Sequence, residues 1–123
     1  MNAWENCMLV AAGGFVGAIV RFWVGQFAGK RLSSIVPYGT LFINLTGSFL
    51  LGLLYGANVS HELVLLLGTG FMGAYTTFST FTYESVQLGL QRRWATFLFY
   101  LGVSTTAGIL LAYLGLLLGR AIV

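Results

Sequence analysis

Gly-Phe-Met-Gly-Ala-Tyr-Thr-Thr-Phe-Ser-Thr-Phe, residues 70–81, sits inside an apolar run that extends from about Leu63 to Leu88. Gly68, Gly70 and Gly73 come just before its cluster of threonine, serine and phenylalanine. Glycine costs about 1 kcal/mol relative to alanine in a helix interior, and β-branched threonine loses side-chain freedom there. The segment is long and apolar enough to cross a bilayer yet poorly suited to one continuous helix. In lipid, broken backbone survives only where protein buries it or where it lines a cavity. A break near Gly73–Thr77 would mark a site. Alternatively, these small residues only let helices pack closely, and both readings stay open at this level.

The rest of the chain supports a membrane setting. Of its 123 residues 58% are hydrophobic and 7% charged, against about 25% charged in soluble domains. So short a chain cannot hide that much apolar surface in a water-soluble core. A helical span takes roughly 20 residues, so the length suits four spans: about 8–28, 38–57, 63–88 and 94–118, in a single all-α unit without a separate soluble domain. The first apolar run lacks a preceding Lys or Arg and a cleavage site, and is expected to be a retained span. Gly29–Ser34 and Asn58–Glu62 are polar breaks, and Pro37 opens the second span, where its missing N–H costs nothing. Six basic residues against three acidic ones, scattered at helix ends, give no nucleic-acid footprint. Cys7 is the single cysteine, which excludes an intrachain disulfide and a cysteine-based metal site.

Several polar groups fall inside the spans. Gly13, Gly17, Arg21 and Gly25 recur every fourth residue and share one helix face. Arg21 either snorkels to the interface or attracts anions at a mouth. Asn44 follows Thr40 by one turn, and its amide needs a hydrogen-bonding neighbour or water. It is either an interhelical tether or a ligand. Phe78 and Phe81, three apart, fall on one face, and a phenyl ring presents a positive edge. Tyr100, Ser104 and Gly108 form a stripe in the last span, whose hydroxyls either face a path or bond their own helix carbonyls. Glu84 is an interfacial carboxylate or part of a mouth. No nucleophile–base pair, phosphate loop or metal-ligand spacing occurs, so an enzyme is not expected. His61, Glu62 and Cys7 carry no assignment.

The string at 70–81, followed by Glu84, resembles the signature of the Fluc/CrcB family of fluoride channels. Three further segments agree in order and spacing: Gly13-Gly14-Phe15-Val16-Gly17-Ala18 leading to Arg21, the run Tyr38 to Gly47 containing Asn44, and Tyr100. The resemblance implies an antiparallel, dual-topology homodimer in a bacterial inner membrane, each chain able to insert either way. Two passive pores between the subunits would export fluoride and prevent its toxic accumulation. Phe78 and Phe81 would turn ring edges to the ion, Asn44 would donate from its amide, and Tyr100 and Ser104 would continue the track. Thr40 and Arg21 would lie toward an aqueous vestibule, with Glu84 near the far end of the path. A structural sodium ion would rest on the backbone carbonyls of Gly73 and Thr76. Ala74 and Tyr75 stand where relatives often have smaller or aliphatic residues.

Another class, the small four-helix proton-coupled drug exporter, needs a membrane-buried carboxylate in the first helix. Here Glu5 precedes the first span. A structural subunit of a larger complex is a third possibility. The loop charges pull against dual topology. Lys30, Arg31, Arg92 and Arg93 fall on one side, and Arg120 alone opposes them as a fixed positive charge. Such a bias favours both termini outside, and it leaves room for a second, oppositely biased chain beside the homodimer.

Overall fold

A computed structural model describes residues 2–31 and 35–123. Leu32, Ser33 and Ser34, in the first polar break, and Met1 lie outside the described residues. The described chain is helical through its apolar runs apart from one interruption in the third, with four segments long and apolar enough to span a membrane. Helix α1 is Ala3–Arg31 and α2 is Tyr38–Gly56. The third span, His61–Leu90, is composite: α3 (His61–Leu63), a π-helical run Val64–Met72, α4 (Gly73–Tyr75), a break, and α5 (Ser79–Leu90). Helix α6 is Trp94–Ile122.

Both ends of the first span run beyond the expected 8–28. At the start, the Asn2 side chain accepts from the Glu5 amide at 2.9 Å while Glu5 accepts from the Asn2 amide at 3.2 Å. This reciprocal capping satisfies donors that a helix otherwise leaves free, and Lys30 and Arg31 suit the negative end. At 1.5 Å per residue α1 is about 43 Å long, longer than the ~30 Å hydrocarbon core, so its ends reach the interfaces. Glu5 therefore lies in the first turn of α1 rather than before it. Pro37 directly precedes α2, and its carbonyl accepts from the Leu41 amide at 3.1 Å. Ser60 caps the third span by accepting from the Leu63 amide.

Close backbone approach at glycines joins the most extensively packed helices. The most extensive packing joins α2 to α6, and α1 lies along the π-helical run. A Cβ at Gly13 or Gly17 would overlap the backbone carbonyls of Leu66 or Phe71. The glycine stripe read in the sequence is thus the surface that admits the third span. Gly115 and Gly119 of α6 do the same against the carbonyls of Phe49 and Leu53. In lipid no water-driven force pulls helices together, so contact at this range supplies the dispersion energy. The π-helical run is wider than an α-helix, a geometry often found at functional sites.

Four passages leave both termini on one side of the membrane, with Lys30, Arg31, Arg92 and Arg93 on the other. Arg92 makes the turn between α5 and α6 with φ 57°, a left-handed conformation unusual outside glycine.

Gly17→Val should lower the thermal midpoint and the monodisperse yield in detergent, because overpacking costs about 1–3 kcal/mol. Gly29→Ala, where an added Cβ meets nothing within 4 Å, should leave both within about 1 kcal/mol of the parent. Equal behaviour of the two variants in a thermal melt would remove the steric account.

Candidate functional site

The third span breaks at Thr76–Phe78, slightly later than the Gly73–Thr77 centre expected from the glycines. Thr76 ends α4 in an extended conformation, φ −81° and ψ 162°. Its neighbour Thr77 is buried, so its backbone groups need partners. Asn44 of α2 supplies them. The Asn44 Nδ2 group donates to the Thr77 carbonyl at 2.9 Å, and the Thr77 amide donates to Asn44 Oδ1 at 2.9 Å. The side-chain amide acts as one edge of a short β-ladder. An asparagine in a span, open to two readings from sequence, is here a tether. Nδ2 carries two N–H groups, so one remains for another acceptor.

Gly47 lets the break seat against α2. A Cβ there would overlap the Thr76 methyl group. On the far side of the break, Thr77 Oγ1 accepts from the Thr80 amide at 3.2 Å and so caps α5. Two consequences follow for the carbonyls. The Thr77 amide serves Asn44 instead of the Gly73 carbonyl one turn back, and Thr76 has left helical geometry. Gly73 and Thr76 thus present backbone oxygens deprived of their helical donors. Oxygen donors of this kind suit a hard monovalent or divalent cation.

Phe78 directly precedes α5 and is 78% exposed on the chain. Expected to share one helical face with Phe81, it stands instead at the break, with ring centroids 6.2 Å apart and planes tilted by 41°. Phe81 packs on Tyr100 of α6 at 5.2 Å. Tyr100 is completely buried, and its hydroxyl has no hydrogen-bond partner among the described residues. The same holds for Ser104 Oγ, one turn on. Ser104 therefore does not back-bond its own helix, the alternative that the sequence left open. Other hydroxyls in the spans do: Thr46, Thr76, Thr82 and Ser85 all bond carbonyls one turn earlier.

Two cavities meet at this point. An open groove of about 370 Å³ is lined by Asn44, Thr76, Phe78, Phe81, Ser104 and Thr105 among others. It contains no charged side chain. A larger cavity of about 620 Å³ at the end nearer the basic loops includes Arg21, Lys30, Thr40 and Glu84. Thr77 borders both. The Thr40 hydroxyl donates to Glu84 at 2.5 Å. Glu84, expected at the far end of the path from Thr40 and Arg21, is thus beside them at the same mouth. The reason is the alternation of the spans: the third ends on the side where the second begins, so Glu84 near its end faces Thr40.

These features define a class: a multi-pass membrane protein with a broken third helix, a charged mouth and an uncharged groove lined by hydroxyls and phenyl rings. Residues 8–116 match the family described as CrcB-like protein, Camphor Resistance (CrcB), and the chain belongs to that family. It is similar to Fluoride-specific ion channel FluC 2 of Bacillus cereus, with 53% identity over 93% of this chain and 97% of the relative. Fluoride-specific ion channel FluC 1 of Geobacillus kaustophilus is 50% identical over 92% and 97%. The FluC 1 protein of Listeria innocua serovar 6a is 41% identical over 93% and 97%.

Asn44→Ala removes both partners of Thr77 and should destabilise the protein by about 2–4 kcal/mol, since buried backbone groups are left unmet. Asn44→Asp keeps an acceptor for the Thr77 amide but places a carboxylate against its carbonyl, and should also destabilise. Thermal unfolding of the two variants checks this. An unchanged midpoint in Asn44→Ala would show that the tether is dispensable.

Proposed function

We propose that this protein is a passive, fluoride-selective channel that lets fluoride leave the cytoplasm of a bacterial cell. The observation that carries the reading is the buried, unpartnered Ser104 hydroxyl in an uncharged groove lined by Phe78 and Phe81, with the buried Tyr100 hydroxyl behind Phe81, also without a partner. Buried donors without a partner are costly. An anion that accepts from them repays that cost.

Fluoride is small and tightly hydrated. A pore must replace its water with donors, yet hold no fixed charge strong enough to trap it. The spare Asn44 N–H, the Tyr100 and Ser104 hydroxyls and the positive edges of Phe78 and Phe81 meet both demands. Arg21 and Lys30 at the mouth raise the local anion concentration. Glu84 and Thr40 form a hydrogen-bonded pair there, where the carboxylate moderates the positive field. The carbonyls of Gly73 and Thr76 are the donors for a structural sodium ion, which would satisfy oxygens that the broken helix leaves without amides.

The groove is open along one side, and Phe78 and Gly73 are exposed on the chain. One subunit encloses no channel. An antiparallel homodimer would close two such grooves and cover those residues, with membrane lipid around the rest. No observation favours proton-coupled export, since Glu5 is engaged in capping α1 and Glu84 is bonded to Thr40.

Liposomes holding only this protein should lose fluoride, with potassium ionophore balancing charge, and should retain chloride. Phe78→Ile or Phe81→Ile should slow the efflux about tenfold, the equivalent of about 1.4 kcal/mol for a lost ring edge. Preparation without sodium should lower the flux as well. Equal fluoride and chloride fluxes, or a requirement for a proton gradient, would sink the reading.

Single cysteines placed in the loops, after replacement of Cys7, should be labelled from both sides when the chain is expressed alone. Labelling from one side only, with no flux until a second chain is added, would replace the homodimer with a paralogous pair.

A further inference from the structure

Tyr75 ends α4 directly before the break and is 5% exposed. Its ring stacks on Phe71 with centroids 5.9 Å apart and planes 12° from parallel, and it packs with Ile43 and Met72. The ring is therefore fixed by apolar contact alone. Its hydroxyl does something further: it lies 2.8 Å from Thr46 Oγ1 on α2. Thr46 has a single hydroxyl proton, and that proton has its own acceptors, the Phe42 carbonyl at 2.7 Å and the Ile43 carbonyl at 3.1 Å. Tyr75 must then be the donor and Thr46 the acceptor. A chain of hydrogen bonds runs from Tyr75 through Thr46 into the backbone of α2.

The placement on α2 gives this bond its meaning. Successive residues turn by about 100° around a helix. Gly47, which seats the Thr76 methyl, therefore lies between the directions of Asn44 and Thr46. Asn44 on one flank holds Thr77, and Thr46 on the other holds Tyr75. Thr76 is gripped between them over a residue with no side chain. With only the Asn44 side fastened, the break can rock about Gly47. Such rocking would move the spare Asn44 N–H, the Phe78 ring and the carbonyls of Gly73 and Thr76 together.

We propose that Tyr75 and Thr46 form a second clamp on the broken helix, and that Tyr75 is a positioning residue for the fluoride path acting through Thr76 and Thr77. The proposal rests on the channel reading above for its consequence in flux, and on geometry alone for its consequence in local order.

Tyr75→Phe removes only the donor and keeps the stacked ring. Thr46→Val keeps the shape of Thr46 but leaves the Tyr75 hydroxyl buried without an acceptor. Thr46→Ser keeps the acceptor. Two measurements are made on each variant and on the Tyr75→Phe/Thr46→Val pair: fluoride efflux from liposomes, and hydrogen exchange at the Thr77 amide. Each of the first two should slow efflux and speed Thr77 exchange by about fivefold, the equivalent of about 1 kcal/mol for one neutral hydrogen bond. The double variant should be no worse than the worse single, and Thr46→Ser should stay within about twofold of the parent. The global thermal midpoint of Tyr75→Phe should move little, since its packing is intact.

Parental exchange and flux in Tyr75→Phe would overturn the clamp. So would effects that multiply in the double variant, because the two hydroxyls would then act separately. If Tyr75→Phe folds poorly, the contrast between Thr46→Val and Thr46→Ser carries the same test. A parent chain without fluoride flux would defeat the channel reading, while the exchange data would still decide the clamp.

Discussion

A helix that breaks inside a membrane must find partners for the backbone groups it releases, because lipid offers none. Here that constraint falls on one side chain. The Asn44 amide takes both the N–H and the C=O of Thr77, and the rest of the site is arranged around this pairing. Gly47 lets α2 come close enough for Asn44 to reach. Thr77 Oγ1 caps the helix that restarts beyond the break. The glycines of α1 admit the π-helical run that leads into the break, and within the break Thr77 is buried while Phe78 stays exposed on the chain.

Charge is partitioned along the molecule in a way that follows from the same geometry. Arg21, Lys30 and Glu84 gather at the wide cavity near the basic loops, where water can solvate them. Deeper in, the groove has hydroxyls, an amide and phenyl rings but no charge. A fixed charge at that depth would cost several kcal/mol and would bind an oppositely charged ion too tightly to release it. Thr77, common to both cavities, marks the change from one regime to the other. The proposed fluoride path thus passes from a region that concentrates anions to one that replaces their water without trapping them.

Apolar residues outnumber what the single chain can bury. Large side chains on every span remain exposed, from Phe15, Phe22 and Trp23 on α1 to Leu110 and Tyr113 on α6. In water this would be untenable, but in a bilayer most of that surface is solvated by lipid. Exposure of Phe78 differs in kind, because its ring borders a polar groove beside the break. The proposed second subunit would suit that face better than lipid, since the groove also holds an asparagine, threonines and a serine.

By itself, the sequence determined the solvent of this protein and the number of its spans. Composition alone forces lipid on so short a chain, and apolar run length divides it in four. The poor helix at 70–81 was legible too, since glycine and threonine weaken a helix wherever it is. So was the close-packing face of α1, because a four-residue spacing fixes which residues align. Pairings across helices were not legible. Whether Asn44 tethers or ligates depends on where Thr77 comes to rest, and nothing local to Asn44 encodes that. Glu84 is at the mouth, not the far end, because the third span ends on the side where the second begins, and its bond to Thr40 is a contact between helices. The π-helical run lies against the glycines of α1, a contact made only when the helices assemble. Tyr75 looked like a bulky departure near the break until folding set its hydroxyl against Thr46. Local chemistry fixes which segments enter the membrane and where they are weak, and tertiary packing decides which partner answers each unmet hydrogen bond.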